Sequence, residues 1–289
     1  MIVVTGATGK LGKLIVDELV ARMPVSEVGV SIRDSKKATN LQQRGIRVRQ
    51  GDFAQPDTLP HAFEGASQLL LISSNARAFG GDTLAQHEAA IHAAKEAAVE
   101  RIVYTSQIAC SPFSAFPPGL DHAATEVMLA ESGVAWTALR NGFYADSAPM
   151  FMGPEWQKGK IVAPRDGKVA WTAHTDLAAA AAAILTGVMT FDGPTPPLTG
   201  AEALDLAGLA SVGSRLVGMP IARETVTDEA FAAQMRQHGL PEAVVGISLG
   251  YYEASRRGEF DKVDSTLEQL IGKPPKSMYH ILTEIYQQS

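Results

Sequence analysis

Residues 1–12 read MIVVTGATGKLG, and this stretch decides the fold. The apolar residues 1–4 are typical of a buried strand, and glycines follow at positions 6, 9 and 12. A helical pattern then covers residues 10–22. Glycines at a turn from strand to helix let the backbone approach a ligand closely, and the helix N-terminus attracts phosphate. The stretch therefore predicts a dinucleotide site, although G-x-x-G-x-x-G departs from the G-x-G-x-x-G of many dehydrogenases.

The first half of the chain alternates short apolar runs with helical patterns. Further strands are predicted at residues 28–32, 46–50, 68–73, 101–105 and 135–139, and helices at 35–44, 58–63, 83–98 and 122–132. Runs that are apolar on both faces and alternate with helices predict a parallel sheet covered on both sides. We therefore expect a doubly wound α/β (Rossmann) domain over residues 1–145, with ligands at the carboxyl ends of its strands.

The pattern changes after residue 145. Short strands are predicted at residues 160–163, 169–172, 197–199 and 221–226. Helices are predicted at residues 175–185, which include six consecutive alanines, and at 203–217, 228–238, 241–257 and 264–271. Residues 146–289 should form mainly a smaller α+β substrate lobe, with later segments rejoining the first sheet.

The composition bounds the class of protein. The net charge of −6 argues against a nucleic-acid partner, and no apolar run approaches the ~20 residues of a membrane span. The chain has a single cysteine, Cys110, so no internal disulfide can form, and we expect this residue to be a small, partly buried hydrophobe. The seven histidines show no metal-ligand spacing. A strand at residues 1–4 leaves no room for a signal peptide, so we expect a cytoplasmic protein, monomeric or homodimeric, without a metal.

The residues after the second predicted strand indicate which dinucleotide binds. An acid at this position usually selects NAD, whereas an arginine binds the 2′-phosphate of NADP. Here Arg33 directly follows the strand, with Lys36 and Lys37 close behind. NADPH is therefore the expected cofactor. NADH is the alternative, because Asp34 would take the acid position if the strand ran one residue further.

Polar residues end the other predicted strands at the same edge of the sheet. Any one of them is a weak signal, since serine and threonine often end strands, but their joint placement is informative. The expected cofactor-binding residues are Gly6, Thr8, Gly9, Lys10, Leu11 and Gly12 of the glycine loop, and Asp52, Phe53, Ile72, Ser73, Ser74, Thr105 and Ser106 at strand ends.

A family resemblance rests on the segments TGATGKLG, IRDSKKA, QGDF, LLLISS, IVYTS and ALRNGFY, in this order. They resemble the NmrA-like branch of the atypical short-chain dehydrogenases/reductases, and within it the NAD(P)H quinone oxidoreductase 2 and triphenylmethane reductase group. The resemblance implies that the glycine loop holds the dinucleotide, that Arg33 contacts the 2′-phosphate, and that Asn141 and Tyr144 contact the nicotinamide, with Gly142 in the same segment.

The chain departs from the wider family at the catalytic helix. Short-chain dehydrogenases use Tyr-x-x-x-Lys, in which the lysine lowers the pKa of the tyrosine. The corresponding positions here are His122 and Glu126. A glutamate cannot replace that lysine, so alcohol–ketone interconversion by this mechanism is not expected. An acceptor such as a quinone or a delocalised cation tolerates the loss, because the cofactor carries the chemistry.

Three side chains are candidates for a proton donor: Tyr144, His122 and Ser106. Arg140 is expected to be structural, with Asp176 as its hypothetical acidic partner. An apolar wall for a planar substrate is expected from Phe113, Phe116, Phe143 and Phe151. The Pro- and Phe-rich loop 110–120 suits a lid.

The leading hypothesis is an NADPH-dependent reductase of a quinone-like or other conjugated small-molecule acceptor. Residues 141–144, Asn-Gly-Phe-Tyr, favour it, with Asn141, Tyr144 and His122 as the catalytic candidates. The alternative is a non-catalytic redox sensor that binds a dinucleotide and a protein partner, as the namesake of the family does. An epimerase or dehydratase would retain the tyrosine base and is the weaker third reading.

Overall fold

The protein is described from a computed structural model, which covers residues 1–287 except for the side chain of Ser35. Its strands, in chain order, are β1 (Ile2–Thr5), β2 (Val28–Ile32), β3 (Arg47–Gln50), β4 (Gln68–Leu71), β5 (Arg101–Gln107), β6 (Ala135–Asn141), β7 (Phe143–Tyr144), β8 (Lys160–Pro164), β9 (Trp171–Thr172), β10 (Gly193–Pro194) and β11 (Ala222–Val226).

The helices are α1 (Lys10–Arg22), α2 (Thr39–Gln43), α3 (Leu59–Phe63), α4 (Thr83–Glu96), α5 (Pro117–Glu131), α6 (Ala148–Met152), α7 (His174–Leu185), α8 (Leu206–Val217), α9 (Asp228–Gln237), α10 (Glu242–Arg256), α11 (Thr266–Ile271) and α12 (Met278–Gln287). Short 3₁₀ helices lie at Val25–Glu27, Ser35–Ala38, Pro56–Thr58, Ala76–Phe79, Ala145–Ser147 and Trp156–Lys158.

The first structural unit comprises Met1–Ser106, Asp121–Arg140 and Leu177–Pro196. Its sheet has seven strands in the order β10-β6-β5-β4-β1-β2-β3, and β1 pairs in parallel with both β2 and β4. All four residues of β1 are buried, as expected for a strand with helices on both faces. The predicted doubly wound parallel sheet is confirmed.

The second unit comprises Gln107–Leu120, Asn141–Asp176 and the chain from Pro197 onward. It contains two small parallel sheets, β11 with β8 and β7 with β9, and the helices α6 and α8 to α12. Aromatic rings fill its core. The ring of Phe143 lies within about 5 Å of the rings of Trp171, Tyr251 and Phe260, at centroid distances of 5.4, 5.1 and 5.1 Å.

Several predicted elements differ from the observed ones. The strand predicted at 197–199 is only an isolated bridge from Leu198 to Asn141, and β10 lies earlier in the chain. Residues 35–44 form a 3₁₀ turn and the short α2 instead of one helix. Helix α5 begins at Pro117, inside the loop expected to be a lid, because proline is well suited to the first turn of a helix. Helices α6 and α12 were not predicted.

Within residues 1–287, no helix has both the length and the apolar composition needed to cross a bilayer. In the same part of the chain, no three His, Cys, Asp or Glu side chains are grouped so that they would hold a metal ion.

Candidate cofactor and active site

The glycine loop connects β1 to α1 in the first unit. Gly6 has φ of +60°, a conformation that favours glycine, and its carbonyl accepts the N–H of Gly9 at 2.9 Å. Gly9 occupies the N-cap of α1, and a glycine has no side chain with which to cap the first-turn amides. These amides and the positive end of the helix dipole are the groups that bind a pyrophosphate.

Gly12 fixes how closely α1 approaches the loop. A Cβ at this position would lie 2.9 Å from the carbonyl carbon of Gly6 and 3.0 Å from Cα of Ala7, so backbone atoms would have to move. The next residue towards the N-terminus, Leu11, is only 6% exposed, so its side chain belongs to the core. The loop is therefore a backbone cradle of the kind that fits a dinucleotide phosphate.

The end of β2 presents a basic side chain. The strand ends at Ile32, and Arg33 directly after it is exposed, as is Lys37. Asp34 instead caps the following 3₁₀ turn, since its carboxylate accepts the N–H of Lys36 at 3.0 Å. The strand thus does not extend to bring Asp34 into the acid position, which favours binding of a 2′-phosphate.

Side chains hold the backbone in place beyond the ends of β3 and β4. The N–H of Asp52 donates to the hydroxyl of Thr58 at 2.9 Å, which closes the turn that carries Phe53. The N–H of Ile72 donates to Thr5 Oγ1 at 2.9 Å, and that of Ser73 donates to Thr105 Oγ1 at 2.8 Å.

The third amide beyond β4, that of Ser74, donates to Nε2 of His87 at 2.8 Å. The predicted residues lie at the carboxyl ends of the adjacent strands β5, β4, β1, β2 and β3, with Thr105 and Ser106 inside β5, which is longer than predicted, and the others beyond their strands. Their predicted contacts with the cofactor remain predictions.

Two histidines lie side by side behind this edge. His87 is fully buried, and burial, with a smaller contribution from His122, lowers its pKa to about 3. Since Nε2 accepts from Ser74, we assign the proton to Nδ1, which donates to Thr125 at 2.8 Å.

His122, a predicted catalytic residue, contacts a phenol. Its Nδ1 lies 2.7 Å from the hydroxyl of Tyr104. Burial lowers the pKa of His122 to about 4, although Asp121 and Glu126 oppose the shift. A neutral imidazole whose Nδ1 accepts a hydrogen bond from the phenol carries its own proton on Nε2. His122 can therefore donate a hydrogen bond from Nε2 without being charged.

Glu126 is the residue predicted from the sequence to correspond to the lysine of Tyr-x-x-x-Lys. It is buried and forms hydrogen bonds with two groups: Ser106 donates its hydroxyl at 2.6 Å, and Arg140 donates from Nη2 at 2.7 Å and from Nε at 3.2 Å. The hypothetical pairing of Arg140 with Asp176 is wrong, because Asp176 accepts the backbone N–H of Lys276 at 2.7 Å. Glu126 is therefore a buried carboxylate with an arginine partner, and the hydroxyl proton of Ser106 is already engaged.

Asn141, Gly142 and Tyr144 belong to the second unit. Burial raises the pKa of Tyr144, and the nearby side chain of Asn141 opposes the rise. Asn141 Oδ1 is buried and, within residues 1–287, has no hydrogen-bond partner. A buried acceptor without a donor is costly, so this oxygen suits a ligand N–H such as that of a carboxamide.

Gly142 permits the close approach of β9. A Cβ at this position would collide with the hydroxyl of Thr172 and lie 2.9 Å from the carbonyl oxygen of Ala170. The N–H of Gly142 donates to Leu198 at 2.8 Å, so the strand is held from both sides. The backbone around Tyr144 is therefore firmly positioned.

Two further residues near Tyr144 were missed from the sequence. The imidazole of His174 packs against the phenol ring of Tyr144, with centroids 4.3 Å apart, and its Nδ1 contacts the carboxylate of Asp146. β7 and β9 are parallel with Tyr144 opposite Thr172, and Asp146 and His174 each lie two positions beyond this pair, Asp146 in a 3₁₀ helix and His174 at the start of α7. The matching segments Tyr-x-Asp and Thr-x-His were the signal in the sequence.

The four phenylalanines expected to form a substrate wall differ in environment. Phe116 is 8% exposed and packs in the core against Phe143 and Phe260, whereas Phe113 is 85% exposed. Phe151 stacks on Tyr251 with centroids 3.9 Å apart. A single wall of all four is therefore wrong, since Phe116 is a core residue and Phe113 points to solvent.

The loop 110–120 is attached to the segment that follows α10. The carboxylate of Glu259 accepts the hydroxyl of Ser114 at 2.5 Å and the N–H of Ala115 at 2.9 Å. This anchoring and the helical start at Pro117 restrain residues 114–120. A lid role for the loop 110–120 remains a prediction.

A parallel sheet with a glycine cradle after its first strand defines a dinucleotide-binding protein of the Rossmann class. The NAD(P)H-binding family matches residues 6–187, and the chain belongs to this family. Quinone oxidoreductase 2 of Escherichia coli (strain K12) is 34% identical over 290 residues, which are 99% of each chain. An NmrA-like family domain-containing oxidoreductase of Aspergillus flavus is 28% identical, over 94% of this chain and 90% of its own length.

Two solved structures are similar to this chain over nearly its full length. The E. coli NADPH-dependent quinone oxidoreductase complexed with NADPH has a TM-score of 0.90 at 32% identity, covering 99% of this chain and 100% of that one. The triphenylmethane reductase of Citrobacter sp. complexed with NADP(H) has a TM-score of 0.88 at 30% identity, covering 98% and 99%.

These comparisons confirm four predictions made from the sequence: the NmrA-like resemblance, the Rossmann fold, the NAD(P)H cofactor and the class of NAD(P)H-dependent oxidoreductases. The individual site residues, the cytoplasmic location and the monomeric or homodimeric state remain predictions.

Proposed function

We propose that this protein is an NADPH-dependent reductase that delivers hydride to a quinone-like or other conjugated small molecule without a Tyr-x-x-x-Lys pair. The observation that carries the proposal is the ion pair of Glu126 with Arg140, a buried carboxylate where a lysine would have to lie. Without that lysine, reactions that require an activated tyrosine base are disfavoured. The names of the E. coli and Citrobacter relatives, a quinone and a triphenylmethane reductase, point to acceptors of this kind.

The first unit would hold the dinucleotide. The first-turn amides of α1 would bind the pyrophosphate, and Arg33 with Lys37 would bind the 2′-phosphate. Asp52 and Phe53 would lie by the adenine, and Ile72 to Ser74 with Thr105 and Ser106 would line the ribose side. Because the hydroxyls of Thr105 and Ser106 already have partners, these two would contribute mainly shape.

Bound NADPH supplies the hydride, and the residues of this chain orient the partners and handle the proton. Asn141 Oδ1 would accept an N–H of the nicotinamide carboxamide, which satisfies the buried oxygen. Reduction of a quinone adds one hydride and one proton, so a donor is needed. The phenol of Tyr144, which is protonated at neutral pH and lies near Asn141, would supply this proton.

The two kinds of acceptor make different demands on the protein. A quinone that receives hydride becomes a phenolate and must take a proton, whereas a triphenylmethane cation becomes neutral at its central carbon and needs none. If Tyr144 donates that proton, Tyr144→Phe will lower quinone turnover by about 100-fold. Turnover of the dye cation will fall much less.

The test measures the rate of NADPH oxidation with each acceptor. Purified protein is mixed with NADPH and a panel of quinones and triphenylmethane dyes, and absorbance is followed at the nicotinamide band. NADPH binding with no turnover of any acceptor would refute the enzyme and favour the redox sensor, which the missing Tyr-x-x-x-Lys pair permits. Equal rates for Tyr144→Phe and the unmodified protein on quinones would refute Tyr144 as donor.

A further inference from the structure

The phenol of Tyr144 lies against a second polar pair that has no part in the reaction as described so far. His174 is 9% exposed, and its ring centroid lies 4.3 Å from that of Tyr144 with the planes 37° apart. This geometry puts one ring against the face of the other. A contact of this kind occupies one face of the phenol and so limits the side-chain rotamers open to it.

Asp146 fixes the imidazole in turn. Its carboxylate contacts Nδ1 of His174, so Nδ1 carries a proton and the ring cannot rotate freely. The backbone on each side is also fixed, since Ala145 is fully buried and Ala173 is 5% exposed. Both polar residues come just after the β7–β9 pair, in which Tyr144 lies opposite Thr172: Asp146 lies in the 3₁₀ helix Ala145–Ser147, and His174 is the first residue of α7.

We propose that His174, held by Asp146, is a positioning residue that keeps the phenol of Tyr144 in the orientation in which its hydroxyl meets Asn141. The inference rests on the proposed role of Tyr144 as the proton donor. His174 acts through its ring face: the two rings are in face contact, and no proton needs to pass between them. Asp146 acts through His174.

An orienting role gives both polar residues a function at this place. A phenol that is free to change rotamer spends little time with its hydroxyl in the productive position, and small displacements lower rates by as much as about 100-fold. A ring packed on one face and an amide at the hydroxyl constrain both ends of the side chain. The arrangement thus affects the proton-requiring acceptor and not the cation.

The variants separate ring packing from imidazole chemistry. His174→Ala removes the ring and should lower the ratio of quinone turnover to dye turnover by about 10- to 100-fold, with the KM for NADPH unchanged. His174→Phe restores a planar ring without nitrogen and should return the ratio to within about threefold of the unmodified protein. Asp146→Asn should give a turnover ratio between those of His174→Ala and His174→Phe. His238→Ala, at an exposed histidine in the same unit, is the matched control and should leave the ratio unchanged.

A readout without cofactor comes from NMR of the apoprotein labelled with [¹³Cζ]tyrosine, with the Tyr144 signal assigned from Tyr144→Phe. Removal of the ring in His174→Ala should readmit water and lower the pKa of Tyr144 towards that of ordinary tyrosine. His174→Phe should keep the pKa of Tyr144 raised.

The outcomes distinguish the two proposals. No turnover of any acceptor by the unmodified protein refutes the proposed function, while the NMR titration still reports on the packing. Turnover of both acceptors with a ratio unchanged in His174→Ala overturns the positioning role. A His174→Phe variant as impaired as His174→Ala also overturns it, because the imidazole nitrogens would then be what matters. An unchanged pKa of Tyr144 in His174→Ala would show that the ring does not shield the phenol.

Discussion

The buried histidine His87 makes the stability of this protein sensitive to acid. Burial lowers its pKa from 6.5 to about 3 in the folded state. Between pH 6.5 and pH 3, His87 is therefore protonated in the unfolded chain and neutral in the folded chain, so the free energy of unfolding falls as the pH falls towards 3. Each pH unit in this window removes about 1.4 kcal/mol. Acidification from pH 7 to pH 5 should then cost about 2 kcal/mol through His87 alone.

The test compares urea unfolding at pH 7 and pH 5 for the unmodified protein and His87→Gln. Glutamine can still accept from Ser74 and donate to Thr125, so the variant should fold with a stability lower by about 1–3 kcal/mol at pH 7. The loss between pH 7 and pH 5 should shrink by about 2 kcal/mol. The control is His92→Gln in the same helix, at a side chain that is 71% exposed. An unchanged loss in His87→Gln, or an equal reduction in His92→Gln, would refute the reasoning.

Three further substitutions test the site. Gly12→Ala should raise the Kd for NADPH, measured by calorimetry, more than about tenfold, because the added Cβ would collide with backbone atoms of Gly6 and Ala7. The control Gly246→Ala adds a Cβ in open space and should bind NADPH as the unmodified protein does. Arg33→Ala should weaken NADPH by about 10- to 100-fold and leave NADH nearly unaffected, and equal losses would contradict a 2′-phosphate contact. Glu126→Lys should create no alcohol dehydrogenase activity. It should lower the free energy of unfolding by about 1–3 kcal/mol, because the new lysine would face the positive charge of Arg140, whose side chain is 35% exposed. An unchanged thermal midpoint would contradict this expectation.

The sheet and the glycine loop could be predicted from the sequence because their signals are local. Each strand of the first half is a short apolar run, and each glycine of the loop has a position-specific reason. The alternation with helices predicts parallel strands, which places the carboxyl ends of β1 to β5 at one edge. Arg33 lies directly after β2 for the same reason.

Side-chain partners could not be predicted in the same way. Arg140 pairs with Glu126 on α5 because β6 and α5 meet in the folded unit, and nothing in the spacing of the sequence marks this partner. Phe116 is apolar in a proline-rich loop, and only tertiary packing decides that it is buried while Phe113 is not. The neighbours Asp146 and His174 depend on a register between two strands that are each two residues long.

The first unit is assembled from three stretches of the chain, and this has a consequence for shortened forms. β10, which completes the sheet beside β6, comes from residues beyond 177, and Gln68 of β4 donates to the carbonyl of Leu185 in α7 at 3.1 Å. A chain ending near residue 145 would leave β6 as an open edge with unpaired N–H and C=O groups, a template for strand addition by another molecule. Such a fragment should aggregate even though it carries the complete glycine loop. NADPH binding therefore depends on the later residues, because they keep the folded sheet from associating with other molecules.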